Sequence, residues 1–297
     1  MTTARYKSVI KRINNGERIL IDGATGTECE RRGVPPAINI WNSGAALSHP
    51  DIVRLIHEEY IDCGAEIIIT NTFSSSRHAL RSAGIEHRFE ELTNAAVRLA
   101  QEARANSGKT QVLIAGGITH WIWTEDKPSL EELEVNSKDQ AVLMAEGGCD
   151  LIMLEMLINI DRLIACIDGS QASGLPVWVG LSLKPIDGEM CLLDGEPLVD
   201  ALAAIKGKNI PLINIMHTEV DYVDRCLDVL DAHWDGAVGV YAHVCQFKEN
   251  GEAIFDDTIS PKDYALASKR WLERGVQVIG GCCGVRKEHI CAIQEIV

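Results

Sequence analysis

The stretch Leu151-Ile152-Met153-Leu154-Glu155 is apolar for four residues without alternation and then ends on a carboxylate. A half-exposed strand would alternate, so an unbroken run is the pattern of a strand covered on both faces, as parallel strands flanked by helices are. Similar runs recur at residues 19–22, 66–70, 112–116, 177–183, 212–216, 237–241 and 276–280, which makes eight in all. The segments between them carry helix signals. Ser48-His49-Pro50-Asp51 supplies a cap, a proline and an acidic first turn ahead of an apolar face that stops at Gly64. Ser129-Leu130-Glu131-Glu132 has the spacing of a capping box, and Ser260-Pro261-Lys262-Asp263 opens in the same way. Eight β/α units with no Pro- or Ser-rich linker predict a single (β/α)8 TIM barrel domain over residues 1–297, of class α/β. A doubly wound open sheet is the alternative.

Composition narrows the function classes. A hydrophobic fraction of 46% in 297 residues suffices for one large core. The net charge of −15, with no Lys/Arg cluster, excludes a nucleic-acid partner, because phosphate neutralisation needs a basic face. No apolar run reaches the ~20 residues of a membrane helix, and the residues after Met1 lack a signal-peptide apolar region. Ten cysteines are scattered without the spacing of a disulfide framework, which predicts a reducing compartment and a cytoplasmic protein.

In a barrel of this kind, the carboxyl ends of the strands face one cleft. Those ends carry Asp22, Asn71 with Thr72, Gly117, Glu155, Ser182, His217, Tyr241 and, after the last strand, Cys282 and Cys283 in Gly280-Gly281-Cys282-Cys283-Gly284. Two adjacent thiolates can reach one Zn²⁺ if the backbone bends sharply, which the glycines permit. An inert core pair or a vicinal disulfide are the alternatives. Two ligands alone do not hold zinc, so a third must come from another strand.

Asp22-Gly23-Ala24-Thr25-Gly26-Thr27, the segment from His57 to Thr70-Asn71-Thr72-Phe73, Glu155, and Gly280-Gly281-Cys282-Cys283-Gly284 together resemble the homocysteine S-methyltransferase family, over nearly the whole chain. The resemblance implies a zinc-dependent barrel that methylates the homocysteine thiol to methionine from a small onium donor such as S-methylmethionine, S-adenosylmethionine or betaine. Both partners would be small molecules. Cys282 and Cys283 would bind the metal and the acceptor sulfur would take an open position. Zinc suits this task because the thiolate, not the thiol, is the nucleophile. The family's third ligand is a cysteine after an asparagine on strand six. This chain has Asn214-Ile215-Met216-His217 there, so His217 is the candidate ligand, with Cys245 competing. Glu155 resembles the residue that holds the amino group of the amino-acid thiol, and Asp22 with Gly23 a substrate-side element beside the metal. Asn71 and Phe73 would line the same mouth. Trp121 and Trp123 offer aromatic faces to an onium methyl group. A barrel acting on another thiol, one running the transfer in the demethylating direction, and a non-catalytic zinc- or thiol-binding barrel are the rival readings.

Overall fold

In the computed structural model, residues 3–124, 127–247, 253–254 and 259–297 are described. Eight parallel strands form one sheet: β1 (Ile19–Leu20), β2 (Ile67–Ile69), β3 (Leu113–Ile118), β4 (Leu151–Leu157), β5 (Val177–Leu181), β6 (Leu212–Glu219), β7 (Ala237–His243) and β8 (Val278–Ile279). β8 pairs with β1, and a parallel bridge between Ile21 and Ile67 joins β1 to β2, so the sheet closes into the expected barrel rather than an open sheet.

The unbroken apolar runs now have their reason. Ile19, Ile67, Leu113, Leu151, Trp178, Leu212 and Val278 point into the barrel. Their neighbours Leu20, Ile68, Ile114, Ile152, Val179, Ile213 and Ile279 point outward beneath the helices. Both faces of these seven strands are therefore dry at these positions.

A helix that the strand-counting argument did not foresee, Ala4–Asn14, adds Tyr6, Val9 and Ile13 to the inner cluster. Full burial of residues such as Val9 and Ile13 is worth roughly 1.5–3 kcal/mol each. Trp178 Nε1 donates to the Tyr6 hydroxyl at 2.9 Å, joining this helix to the interior of the barrel. Ser129 and Ser260 cap their helices as expected, accepting from Glu132 N and Asp263 N. The cap position of the helix Pro50–Asp62 falls on His49, whose side chain makes no capping hydrogen bond, and not on the expected Ser48, which closes the short helix Ala45–Ser48.

Strands β3, β4, β6 and β7 outrun their expected ends, and two of them, β4 and β6, do so through a bulge. On β4 the register slips between Leu154 and Leu157, and on β6 between Met216 and Glu219. Each slip inserts one extra residue, and in each a side chain takes up left-handed backbone: Met156 at φ 54° and His217 at φ 45°. Such a bulge interrupts the period of two. Met153 and Met156 thus both join the inner cluster while Leu154 and Leu157 face outward.

The cysteine spacing predicted no disulfide, yet Cys63 and Cys291 are bridged, with Cα atoms 4.7 Å apart across 228 residues of sequence. Barrel closure makes them neighbours. Cys63 follows the helix Pro50–Asp62 between β1 and β2, and Cys291 lies on Lys287–Gln294 after β8. Among the described residues no helix is long and apolar enough to cross a membrane.

Candidate metal centre

The loop after β8 is held against β7 by backbone. Cys282 N donates to Ala242 O at 2.9 Å, and Val244 N donates to Cys283 O at 3.0 Å. Gly284 then turns the chain at φ 81°, a conformation that strains any residue with a Cβ. Its N–H donates to Thr27 Oγ1 at 3.1 Å, tying the loop to the segment after β1.

This bend aims both sulfurs at β6. Cys282 Sγ lies 3.5 Å from His217 Nδ1 and 3.9 Å from Cys283 Sγ, and the three donor atoms all lie within 4.8 Å of one another. A tetrahedral metal with ordinary zinc–sulfur and zinc–nitrogen bonds separates its ligand atoms by roughly 3.6–3.8 Å, so the trio has the dimensions of three corners of such a site. The 3.9 Å sulfur separation also rules out a vicinal disulfide. Cys245 hydrogen-bonds the Cys283 sulfur but lies outside the group of three.

Hydrogen bonds with the Cys245 and Cys282 sulfurs, and then burial, push the Cys283 thiol well above its usual range. Burial, with a smaller contribution from neighbouring His243, lowers His217 to about 3, so its imidazole is neutral and able to coordinate. A divalent cation among these donors would supply the charge that keeps a thiolate ionised.

Two buried carboxylates, Asp22 beside the sulfur loop and Glu155 on β4, lie at the same end of the barrel. Glu155 precedes the β4 bulge and is 9% exposed, and no hydrogen bond or ion pair reaches its carboxylate among the described residues. Burial alone pushes it up to about 8. Gly117 on β3 makes the space it occupies, since a Cβ there would sit 2.6 Å from Glu155 Oε2. Asp22 accepts from Ile69 N at 2.7 Å, and burial, against that hydrogen bond and with a contribution from Glu155, raises it well above the carboxylate range. Among the described residues neither acid is paired with a cation.

The remaining candidates sort by what they touch. Gly23 is closely packed, because a Cβ there would meet the Val285 carbonyl at 2.7 Å and the Tyr60 ring at 2.9 Å. Asn71 Nδ2 donates to Asn42 O at 2.9 Å, and Thr72 Oγ1 donates to Gly117 O at 2.7 Å, so both brace loops. Phe73 and Trp121 flank Trp123 edge-on, each with ring centroids 6.3 Å from it, and Trp123 is 44% exposed. Residue-by-residue reading missed His243, whose ring lies against His217 with centroids 4.7 Å apart. The signal was available: Gly239, Tyr241 and His243 share one face of β7 at a period of two.

Comparison with known proteins gives the same address. Residues 19–297 match the homocysteine S-methyltransferase family. The chain is 28% identical to the S-methylmethionine–homocysteine S-methyltransferase BHMT2 of Pongo abelii, over 97% of this chain and 81% of that protein. It is also 28% identical to betaine–homocysteine S-methyltransferase 1 of Danio rerio, over 97% of this chain and 75% of that one. The metallated form of the homocysteine methyltransferase MmuM from Escherichia coli superposes with a TM-score of 0.80, covering 96% of this chain and 98% of that one at 22% identity, a likeness of fold. By its match along almost its entire length, the chain belongs to the homocysteine S-methyltransferase family and is an S-methyltransferase.

Proposed function

We propose that the protein methylates the thiol of homocysteine to give methionine, taking the methyl group from a small sulfonium or quaternary ammonium donor, with Zn²⁺ held by His217, Cys282 and Cys283. The observation that carries this is the convergence of one imidazole and two sulfurs within 4.8 Å at the barrel mouth. Zinc bound there would act as a Lewis acid that keeps the acceptor sulfur deprotonated at neutral pH.

The rest of the chemistry falls to the chain itself. Glu155 and Asp22 are carboxylates in search of a cation, and the ammonium group of an amino-acid thiol supplies one. Because Glu155 sits near pKa 8 in the free protein, binding an ammonium favours its ionised form and releases a proton. Phe73, Trp121 and Trp123 form an aromatic rim suited to an onium methyl group. The acceptor sulfur's electron pair forms the new bond to the methyl carbon, and the donor keeps the electrons of the broken bond and leaves neutral. No general acid is required, so positioning in line is the protein's main task.

Metal analysis combined with a methyl-transfer assay on homocysteine tests this reading. Purified protein should hold about one Zn²⁺ per chain, and Cys282→Ala or Cys283→Ala should lose metal and transfer together. Full transfer by the double variant would end the proposal.

A further inference from the structure

His217 is an awkward ligand to hold. Its backbone is left-handed at φ 45°, a conformation that costs a non-glycine residue about 1–2 kcal/mol. The bulge that makes it face inward also leaves its peptide outside the regular ladder, since pairing between β6 and β7 stops at Met216 with Tyr241 and resumes at Glu219 with His243. Something must hold the imidazole in one orientation.

His243 occupies the place where such a support belongs. It lies on β7 opposite the far side of the bulge, with its ring plane at 41° to that of His217 and the centroids 4.7 Å apart. Its side chain is hydrogen-bonded to the His217 backbone. We propose that His243 is a positioning residue for the metal centre: its ring N–H donates to the His217 carbonyl, fixing the bulge, while its face backs the His217 ring and keeps Nδ1 turned toward Cys282. Partners of this kind set the orientation of coordinating imidazoles, and their loss typically lowers metal affinity about 10–100-fold. The inference rests on the reading of His217 as a ligand.

Zinc affinity of the full chain, measured by competition with a chromophoric chelator, tests it. His243→Phe keeps a ring but removes the donor and should weaken zinc binding about 10–100-fold. His243→Gln, which retains an N–H able to reach the carbonyl, should recover part of the loss. Added to His217→Ala, His243→Phe should cause no further loss, because the imidazole it supports is gone. His243→Leu is a second removal, with no donor, and should behave like His243→Phe should the latter fail to fold. Unchanged affinity in the removal variants, or an equal loss with and without His217, overturns the positioning role. Parental zinc affinity in His217→Ala would instead remove His217 from the site, a failure of the ligand reading that the same series identifies separately.

Discussion

Strand β4 carries a buried carboxylate at each end, and the two live in opposite circumstances. Asp150, just before the strand, is fully buried and accepts from Thr3 Oγ1 at 2.7 Å, Arg5 Nε at 3.1 Å, Arg104 Nη1 at 3.2 Å and Ile114 N at 3.0 Å. Glu155, at the other end, has no such partners among the described residues. A barrel keeps its chemistry at the carboxyl ends of its strands and its stability at the amino ends. The contrast teaches how to tell the two apart: a buried charge that is satisfied by the fold serves the fold, whereas one left without a cation awaits a ligand.

The largest test of that distinction is Asp150→Ala. Removing one partner of a buried ionic network leaves Arg104 and Arg5 uncompensated, so unfolding should become easier by about 3–5 kcal/mol. Denaturant titration reads the loss, and turnover per folded molecule should be unchanged. A stable Asp150→Ala protein would erase the contrast.

The next test uses pH. Below about 4.5 the Glu155 carboxyl is protonated whether the chain is folded or not; between there and about 8 only the unfolded chain ionises it. The unfolded state then binds fewer protons, so stability falls as pH rises across this window and levels off above about 8. Chemical denaturation should show a contribution from this group that declines by on the order of 5 kcal/mol across the window, and Glu155→Gln should remove it. Asp22, raised in the same direction, keeps its own share of the slope in that variant. Buried His57, His78, His120, His217 and His243, lowered to about 3–4, add stability as pH rises toward 6.5, so the reading is the wild-type curve minus that of Glu155→Gln, and a difference that climbs from pH 5 to 8 would contradict the assignment.

The smallest test sharpens the comparison at the level of substrate. Glu155→Gln should lower kcat/KM for homocysteine by roughly tenfold to a hundredfold, in line with the ~1.5–3 kcal/mol of a charged hydrogen bond. A thiol without an amino group should be nearly indifferent, and zinc content should hold. Equal losses for both thiols would make Glu155 a second structural carboxylate like Asp150.

Much of this was legible in the amino-acid order, for physical reasons that are local. Runs such as Leu151–Leu154 announce strands covered on both faces because hydrophobic continuity needs no partner to be recognised. Cys282 and Cys283 among glycines announce a bent loop with two donors, and Glu155 at the end of an apolar run announces a carboxylate in a cleft. The helix Ala4–Asn14 at the barrel's inner cluster and the packing of Val285 and Tyr60 against Gly23 were not legible, because each depends on what closes against it.

The sequence by itself determined the barrel, its eight strands and the sulfur pair, since periodicity and residue chemistry are properties of the chain. Tertiary structure decided which of the two candidates, His217 and Cys245, joins the sulfur pair within 4.8 Å. Counting by twos from inward-facing Leu212 turns His217 outward, and only the bulge on β6, set by its register with β7, turns it back beside Cys282. The same closure sets His243 behind it, leaves Cys245 outside the trio and brings Cys63 to Cys291. Register is fixed by pairing between strands distant in sequence, and a shift of one residue changes the face on which a side chain stands.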